Sequence, residues 1–357
     1  MTYIIAEMGV NHNGDVELGK SLIEIAAKSG ANAIKIQSFV TDQFVTAGAP
    51  KSPYQVWHDQ GSSNQTEMLK RLELTFEQQT ELYLYSKNFK LDFISTPFDE
   101  LSLNFLLCDL NLPIIKVASS DLTSTPLLHR LGISNVDVIL STGMANEDEI
   151  EFGVGALVLG RQGAPIEDLT ESNCRQAWRT KIARHYLDEK VTILHCISEY
   201  PAPAQVTNLN FMNSLRKKFD LRIGFSDHSQ GVHLSVAAVA LGAQIVEKHL
   251  TIDNALDGPD HSASLNPIDF SRLVAEIRDI NSALGDGEKV ITVGESLNLL
   301  AARKSLVAIR PINSGEKYDI HNLGIKRPGV GIPSIKFAEF LGKYASRTYK
   351  KDEQIVE

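Results

Sequence analysis

Cysteine is scarce in this chain. Cys108, Cys174 and Cys196 are the only three, an odd number at wide spacing, which excludes a disulfide framework and a zinc ribbon. No Lys/Arg-rich run stands out, and 35 Lys+Arg against 44 Asp+Glu leave a formal charge of −9. That balance argues against nucleic acid and against an anionic membrane surface as partners. No apolar stretch is long enough to span a bilayer. The first residues, MTYIIAEMGVNHNG, enter an apolar run at once with no basic region before it, so they do not read as a signal peptide. A reduced, cytoplasmic protein is the expectation. The GxxxxGK[ST] and GxSxG signatures are missing, and GVNHNG lacks the GxGxxG spacing of a dinucleotide site, so hydride transfer does not fit.

What is present is an ordinary globular composition, 43% hydrophobic and 22% charged over 357 residues, enough for one large domain and a small one. Eight short apolar runs fall at 4–8, 33–39, 92–98, 113–120, 137–144, 192–198, 222–228 and 244–250. Helical patterns at 16–30, 75–88, 146–160, 231–242 and 266–285 lie between and after them. Thr75 with Gln78 has capping-box spacing, and Asn146 followed by three acids suits a helix start. Eight strand–helix units in this length predict a (β/α)₈ TIM barrel over 1–285, with a doubly wound open sheet as the alternative. Residues 286–302 read as a linker, and 303–357 as a small β-rich module whose core would be thin alone. The long connection 40–74, with Pro50, Pro53, Tyr54 and Trp57, has the character of a loop that shapes a substrate site. The charged stretch 161–190 reads as a solvated decoration.

A barrel strand needs apolar residues and then an end. These runs end instead in functional groups: Glu7, Lys35 with Gln37, Ser95-Thr96, Lys116 with Ser119, Ser141-Thr142, His195 to Tyr200, Ser226-Asp227-His228, and Glu247-Lys248-His249. Barrel active sites lie at that end of the strands, so these groups are expected to converge on one pocket. Lys35 and Lys116, cations on core strands, require an anion. With Thr96, Ser119, Ser141 and Ser226 they suit a phosphate, or a phosphate with a carboxylate. His228 and His249 end adjacent strands and can reach one metal, leaving its other positions to water or substrate. Glu7 and Glu247 are the candidates to orient water or carry protons. An anion site beside an open metal suggests a phosphorylated carbon donor attacking a polarised carbonyl.

The strings AEMGVNHNG (6–14), IKIQS (34–38), FISTPF (93–98), STGMAN (141–146), ILHCISEYPAP (193–203), IGFSDHSQGV (223–232), VEKHLT (246–251), DGPDHSASLNP (257–267) and KRPGVGI (326–332) together resemble the bacterial nonulosonate, or sialic acid, synthases. The resemblance covers essentially the whole chain. It implies a TIM barrel followed by an antifreeze-like SAF domain, and a domain-swapped homodimer. It implies condensation of phosphoenolpyruvate with an N-acetylated mannosamine-type sugar, dependent on Mn²⁺ or Mg²⁺, with C–O cleavage and release of phosphate. It implies His228 and His249 as metal ligands, and Lys35, Thr96, Lys116, Ser119, Ser141 and Ser226 as the phosphoenolpyruvate site. Gln37, Asp121, Tyr200 and Asp260 fall to the sugar, with Arg327 arriving from the other subunit, and Glu7 to proton or water handling. Where N-acetylneuraminate-forming members have Asn-x-Tyr-Pro and Glu, this chain has Ser198-Glu199-Tyr200-Pro201 and Asp121. SEYPAP and APKSPYQ (49–55) look more like the legionaminate branch. The competing expectations are a related synthase acting on another sugar, such as a pseudaminate precursor, a metal-dependent aldolase, and a protein whose tail binds ice or carbohydrate.

Overall fold

The computed structural model describes residues 1–59 and 61–356. Eight parallel strands close on themselves: β1 (Tyr3–Gly9), β2 (Ala33–Ser38), β3 (Asp92–Pro97), β4 (Ile114–Val117), β5 (Asp137–Ser141), β6 (Val191–Cys196), β7 (Arg222–Asp227) and β8 (Ile245–His249). The pairing of β8 with β1, Ile245 opposite Tyr3 through His249 opposite Glu7, makes this a barrel and removes the open-sheet alternative. Such strands are buried on both faces, which is why they read as near-continuous apolar runs.

Alternation along each strand divides the side chains between axis and exterior. Ile5, Ala33, Ile94, Ile139 and Leu194 fill the axis, with Tyr3, Ile114 and Ile245 packed against them. Two residues further along each strand, at the same parity, stand Glu7, Lys35, Thr96, Lys116, Ser141, Cys196 and Glu247. The polar site is therefore the next layer above an apolar plug. The opposite parity, including Ile4, Ile34, Ile115, Leu140, Ile193 and Phe225, packs outward as part of the main core.

The helices begin where local chemistry dictates. Asp15 caps Val16–Ser29, which ends at Gly30 in the left-handed conformation, φ +83°. Thr75–Gln78 and Asn146–Glu149 form the expected capping boxes.

The stretch 161–190 is not a decoration. Its helices Glu171–Ala177 and Lys181–Lys190 bring Cys174, Trp178, Tyr186 and Leu187 into the main core. Helix Glu147–Arg161 lies so close that a β-carbon on Gly155 would come within 1.7 Å of the Cys174 carbonyl oxygen. The charges of this segment face water and conceal its apolar side.

Residues 286–357 form a second compact unit. It contains helix Val293–Ala302 and the antiparallel pair β9 (Ser305–Ala308) and β10 (Leu323–Lys326). Its own core is Leu306, Ala308, Ile312, Tyr318, Leu323, Phe340, Ala345, Tyr349 and Ile355.

Candidate active site

A cavity of about 680 Å³ opens above the polar layer, at the C-terminal ends of the strands. Glu7, Lys35, Gln37, Thr96, Lys116, Ser119, Ser141, Tyr200, Ser226, His228, Glu247 and His249 all line it. A second hollow, of about 600 Å³, lies at the opposite end of the barrel. Its charges Lys190 and Asp137 satisfy each other at 2.8 Å, and among the described residues no unpartnered buried polar atom belongs to its lining.

The floor is a compact charge cluster. Lys35 Nζ reaches Glu7 Oε2 at 2.5 Å, Thr96 Oγ1 at 3.2 Å and Glu247 Oε2 at 3.7 Å. Lys116 Nζ donates to Ser141 Oγ at 2.7 Å and lies 4.0 Å from Glu247 Oε1. Ser226 donates to that same Oε1 at 2.8 Å. Burial raises the Glu7 carboxyl to about 7, with Lys35 opposing the rise and the Glu247 charge reinforcing it. Burial pushes the same way at Glu247, but Lys116 and Lys35 outweigh it and hold this carboxyl down at about 2. Two carboxylates in one site are thus driven apart, one ionised and one poised to exchange a proton near neutrality. With Glu7 protonated, two ammonium groups face one carboxylate, and the floor has capacity for an anion.

The side wall carries the imidazoles. The rings of His228 and His249 lie 5.5 Å apart, centroid to centroid. His228 Nδ1 donates to the Ile197 carbonyl at 2.7 Å, so in the neutral ring the lone pair is on Nε2. His249 is held well below the ordinary imidazole range by burial, with His228 and Lys35 adding to it. Its buried Nδ1 has no hydrogen-bond partner, and Asp260 Oδ2 stands 4.0 Å from it. No third His, Cys or carboxylate completes a metal-binding group among the described residues. Two imidazoles with an unsatisfied buried nitrogen fit a divalent cation whose remaining positions go to water or substrate oxygen.

Not every strand-end group reaches the cavity. Ser95 lies within 2.5 Å of Ser38, which donates to Gln79. His195 bonds the Thr207 carbonyl at 2.6 Å. Asp227 and Lys248 form a fully buried pair at 3.0 Å, with Ser229 and Ser235 also donating to Asp227. All four residues have the outward parity and serve the helical layer, so the expected convergence of whole strand ends is corrected to every second residue. Asp121 closes the turn Ser119–Asp121 and accepts from Ser120 Oγ at 2.8 Å, but does not line the cavity. Asp260 is buried behind His249, and burial raises its carboxyl to about 6. Arg327 belongs to the second unit, where it is exposed.

The structure also places residues to which the sequence assigned no individual role. Cys196 lines the cavity with its Sγ 3.6 Å from His228 Nδ1. Ser198 and Ser119 crowd Gly143, where a β-carbon would come within 2.3 Å of Ser198 Oγ. Gln55 and Met144 stand at the mouth with Tyr54 and Trp57 from the long loop. That loop was legible as a wall-former; the identity of its contacts was not.

Paired lysines beneath paired histidines, gathered in one cavity at the C-terminal end of a closed barrel, place the chain in the broad class of barrel enzymes. Comparison with known proteins narrows the class. The NeuB family model matches residues 22–289, and the SAF domain model matches residues 303–357. The chain is 44% identical to the N,N'-diacetyllegionaminic acid synthase of Campylobacter jejuni subsp. jejuni serotype O:2, over 100% of this chain and 99% of that protein. It is 36% identical to the enzyme of the same name from Legionella pneumophila, over 96% and 90%. Among solved structures, the N-acetylneuraminic acid (sialic acid) synthetase from Leptospira borgpetersenii serovar Hardjo-bovis aligns with a TM-score of 0.66 at 31% identity, covering 84% of this chain and 90% of that one. The chain belongs to the NeuB family of sialic acid-type synthases and is an enzyme of the transferase type.

Proposed function

We propose that this enzyme condenses phosphoenolpyruvate with 2,4-diacetamido-2,4,6-trideoxymannose to give N,N'-diacetyllegionaminate and phosphate. The observation that carries the reading is the floor of Lys35 and Lys116 among Thr96, Ser141 and Ser226, directly beside His228 and His249. Phosphoenolpyruvate carries a phosphate and a carboxylate, and the two ammonium groups and the hydroxyls are suited to hold both. Ser119 is within the same wall, its Oγ accepting from the Gly143 backbone at 2.9 Å. Gln37, Tyr200 and Asp260 are assigned to the sugar, as is Asp121 beside the cavity.

A divalent cation, Mn²⁺ or Mg²⁺, held by His228 and His249 would supply Lewis-acid polarisation of the sugar aldehyde. The floor orients the enolpyruvate so that its C3 bonds to the aldehyde carbon, whose oxygen takes the proton held by Glu7 and becomes a hydroxyl. The oxygen of water adds to C2 of the enolpyruvate. Glu7, poised near neutrality, takes the proton from that water. The bond from C2 to the phosphate oxygen breaks, phosphate departs with the proton of the new C2 hydroxyl, and C2 becomes the ketone of the product. Glu247 stays ionised and holds the two lysines in place. The enzyme acts as a domain-swapped homodimer in which Arg327 reaches the partner's sugar, and we assign it to the cytoplasm. Loss of activity in a chain ended near residue 285, with the barrel folded, checks the dimer assignment.

Support for the acceptor comes from the two legionaminic acid synthases and from the aromatic and apolar mouth, which suits acetamido and methyl groups better than hydroxyls. The test is phosphate release from phosphoenolpyruvate with Mn²⁺, run in parallel with this sugar and with N-acetylmannosamine. Strong preference for the first supports the assignment. Preference for the second makes the product N-acetylneuraminate. Silence with both in a folded, metal-loaded protein refutes the condensation.

A further inference from the structure

The rim of the cavity has features that the condensation chemistry leaves without a role. Tyr54 sits on the helix Pro53–His58, at whose start the Ser52 backbone N–H donates to Gln55 Oε1 at 3.0 Å. Its ring stacks on Tyr200 with centroids 4.7 Å apart and planes 28° from parallel. Tyr200 lies in turn 4.2 Å from the ring of His228. A line of rings therefore runs from the mouth to the imidazole pair. Beside it, Trp57 is 73% exposed and Met144 is 71% exposed, yet both line the cavity. Met144 also holds a left-handed backbone, φ +61°, which is unfavourable for a residue with a β-carbon. Large apolar side chains held in water around a cavity mark a surface that a ligand covers. No Lys or Arg other than Lys35 and Lys116 lines the cavity among the described residues.

Tyr54 is held at the mouth by a clamp. Asp59, 3% exposed, follows the helix directly. It accepts from Lys51 Nζ at 3.1 Å and from the Arg71 guanidinium, and Lys51 donates to its carbonyl as well. Lys51 precedes the helix and Arg71 lies on helix Gln65–Leu72, so one carboxylate ties both ends of the Tyr54 helix to each other and to that neighbouring helix. Lys51 and Arg71 hold the Asp59 carboxyl below its usual range despite its burial.

We propose that Tyr54 selects the acceptor, offering its ring to the acetamido and methyl groups of a deoxygenated amino sugar, and that Asp59 is the positioning residue that keeps Tyr54 against Tyr200. A sugar with free hydroxyls at the same positions would press polar groups against ring faces that offer them no partner. The proposal rests on the condensation reading above.

Wild type, Tyr54→Ala, Tyr54→Phe and Asp59→Asn are to be compared for phosphate release with each of the two sugars, varying sugar and phosphoenolpyruvate separately. Tyr54→Ala is expected to raise KM for the diacetamido sugar about tenfold, to move KM for phosphoenolpyruvate less than about twofold, and to narrow the preference between sugars. Tyr54→Phe keeps the ring and recovers most of that loss. Asp59→Asn reproduces the alanine pattern in weaker form. A merely structural defect would lower kcat or raise both KM values together, and that result in Tyr54→Ala overturns the proposal. With wild type active and the sugar KM of Tyr54→Ala unchanged, this proposal alone falls. With wild type inert toward both sugars, the condensation reading falls and this proposal with it.

Discussion

Replacing Lys35 by methionine keeps most of its stem and removes its charge. The ammonium it removes is 5% exposed and is the nearest counter-charge to both Glu7, at 2.5 Å, and Glu247, at 3.7 Å. Only Lys116, 4.0 Å from Glu247, then remains on the floor. Removing one partner of a buried pair costs roughly 3–5 kcal/mol. Protonation of Glu7, already raised to about 7, relieves part of this. Affinity for phosphoenolpyruvate is therefore expected to fall about 100-fold at pH 8, the lower end of that range at 1.36 kcal/mol per tenfold. The sign of the pH dependence follows. Loss of the cation raises Glu7 further, so in the variant it already holds its proton at pH 8, whereas in wild type it gains that proton between pH 8 and pH 6 and ceases to repel the incoming anion. The gap between variant and wild type should widen from pH 8 to pH 6. Calorimetric titration of metal-loaded protein with phosphoenolpyruvate alone, at both pH values, measures it. Binding within about threefold of wild type at pH 8, or a gap that narrows at pH 6, refutes the anion assignment.

His228→Ala and His249→Ala should each abolish Mn²⁺ binding by calorimetry while the metal-free thermal midpoint stays close to wild type; retained binding removes them as ligands. Glu7→Gln should flatten a pH trend in stability. A carboxyl raised from 4.5 to about 7 in the folded protein stabilises fully below pH 4.5, and that contribution is lost as pH rises through 7; the variant should lack that decline in urea unfolding. Lys248→Met should destabilise the barrel by about 3 kcal/mol, at the lower end for a buried pair because Ser229 and Ser235 still serve Asp227, and a change below about 1 kcal/mol in urea unfolding would count against it. Gly155→Ala should lower the thermal midpoint sharply, because its β-carbon would overlap the Cys174 carbonyl; a tolerated alanine would mean that helix Glu171–Ala177 is not tightly docked.

The barrel was legible because parallel strands buried on both sides read as apolar runs, and β1 to β8 fall within one or two residues of those runs except at their C-terminal ends, where β4 to β6 stop two to three residues short. The gathering of the lysines and hydroxyls at one cavity was legible for a related reason: a cation on such a strand calls for a counter-charge. What a run does not reveal is parity. Ser95 and Thr96, or His195 and Cys196, look equally eligible until an axial layer such as Ile94 and Leu194 is known. The segment 161–190 was misjudged because its polar residues are more numerous than the few, Cys174, Trp178 and Leu187, that bury it. The clamp on Asp59 joins residues 8 and 12 positions away across an irregular loop, and no periodicity announces such a contact.

Neighbouring residues on one strand answer to different demands. In β8, Glu247 and His249 face the chemistry while Lys248 between them holds Asp227 out of water. Saturation mutagenesis read twice, once for protein abundance in the cell and once for product, should separate them. Substitutions at 247 and 249 should leave abundant, silent protein, and those at 248 should deplete the protein itself. A lineage can therefore retune its reaction through every second residue of a strand and leave the scaffold's solvency to the others.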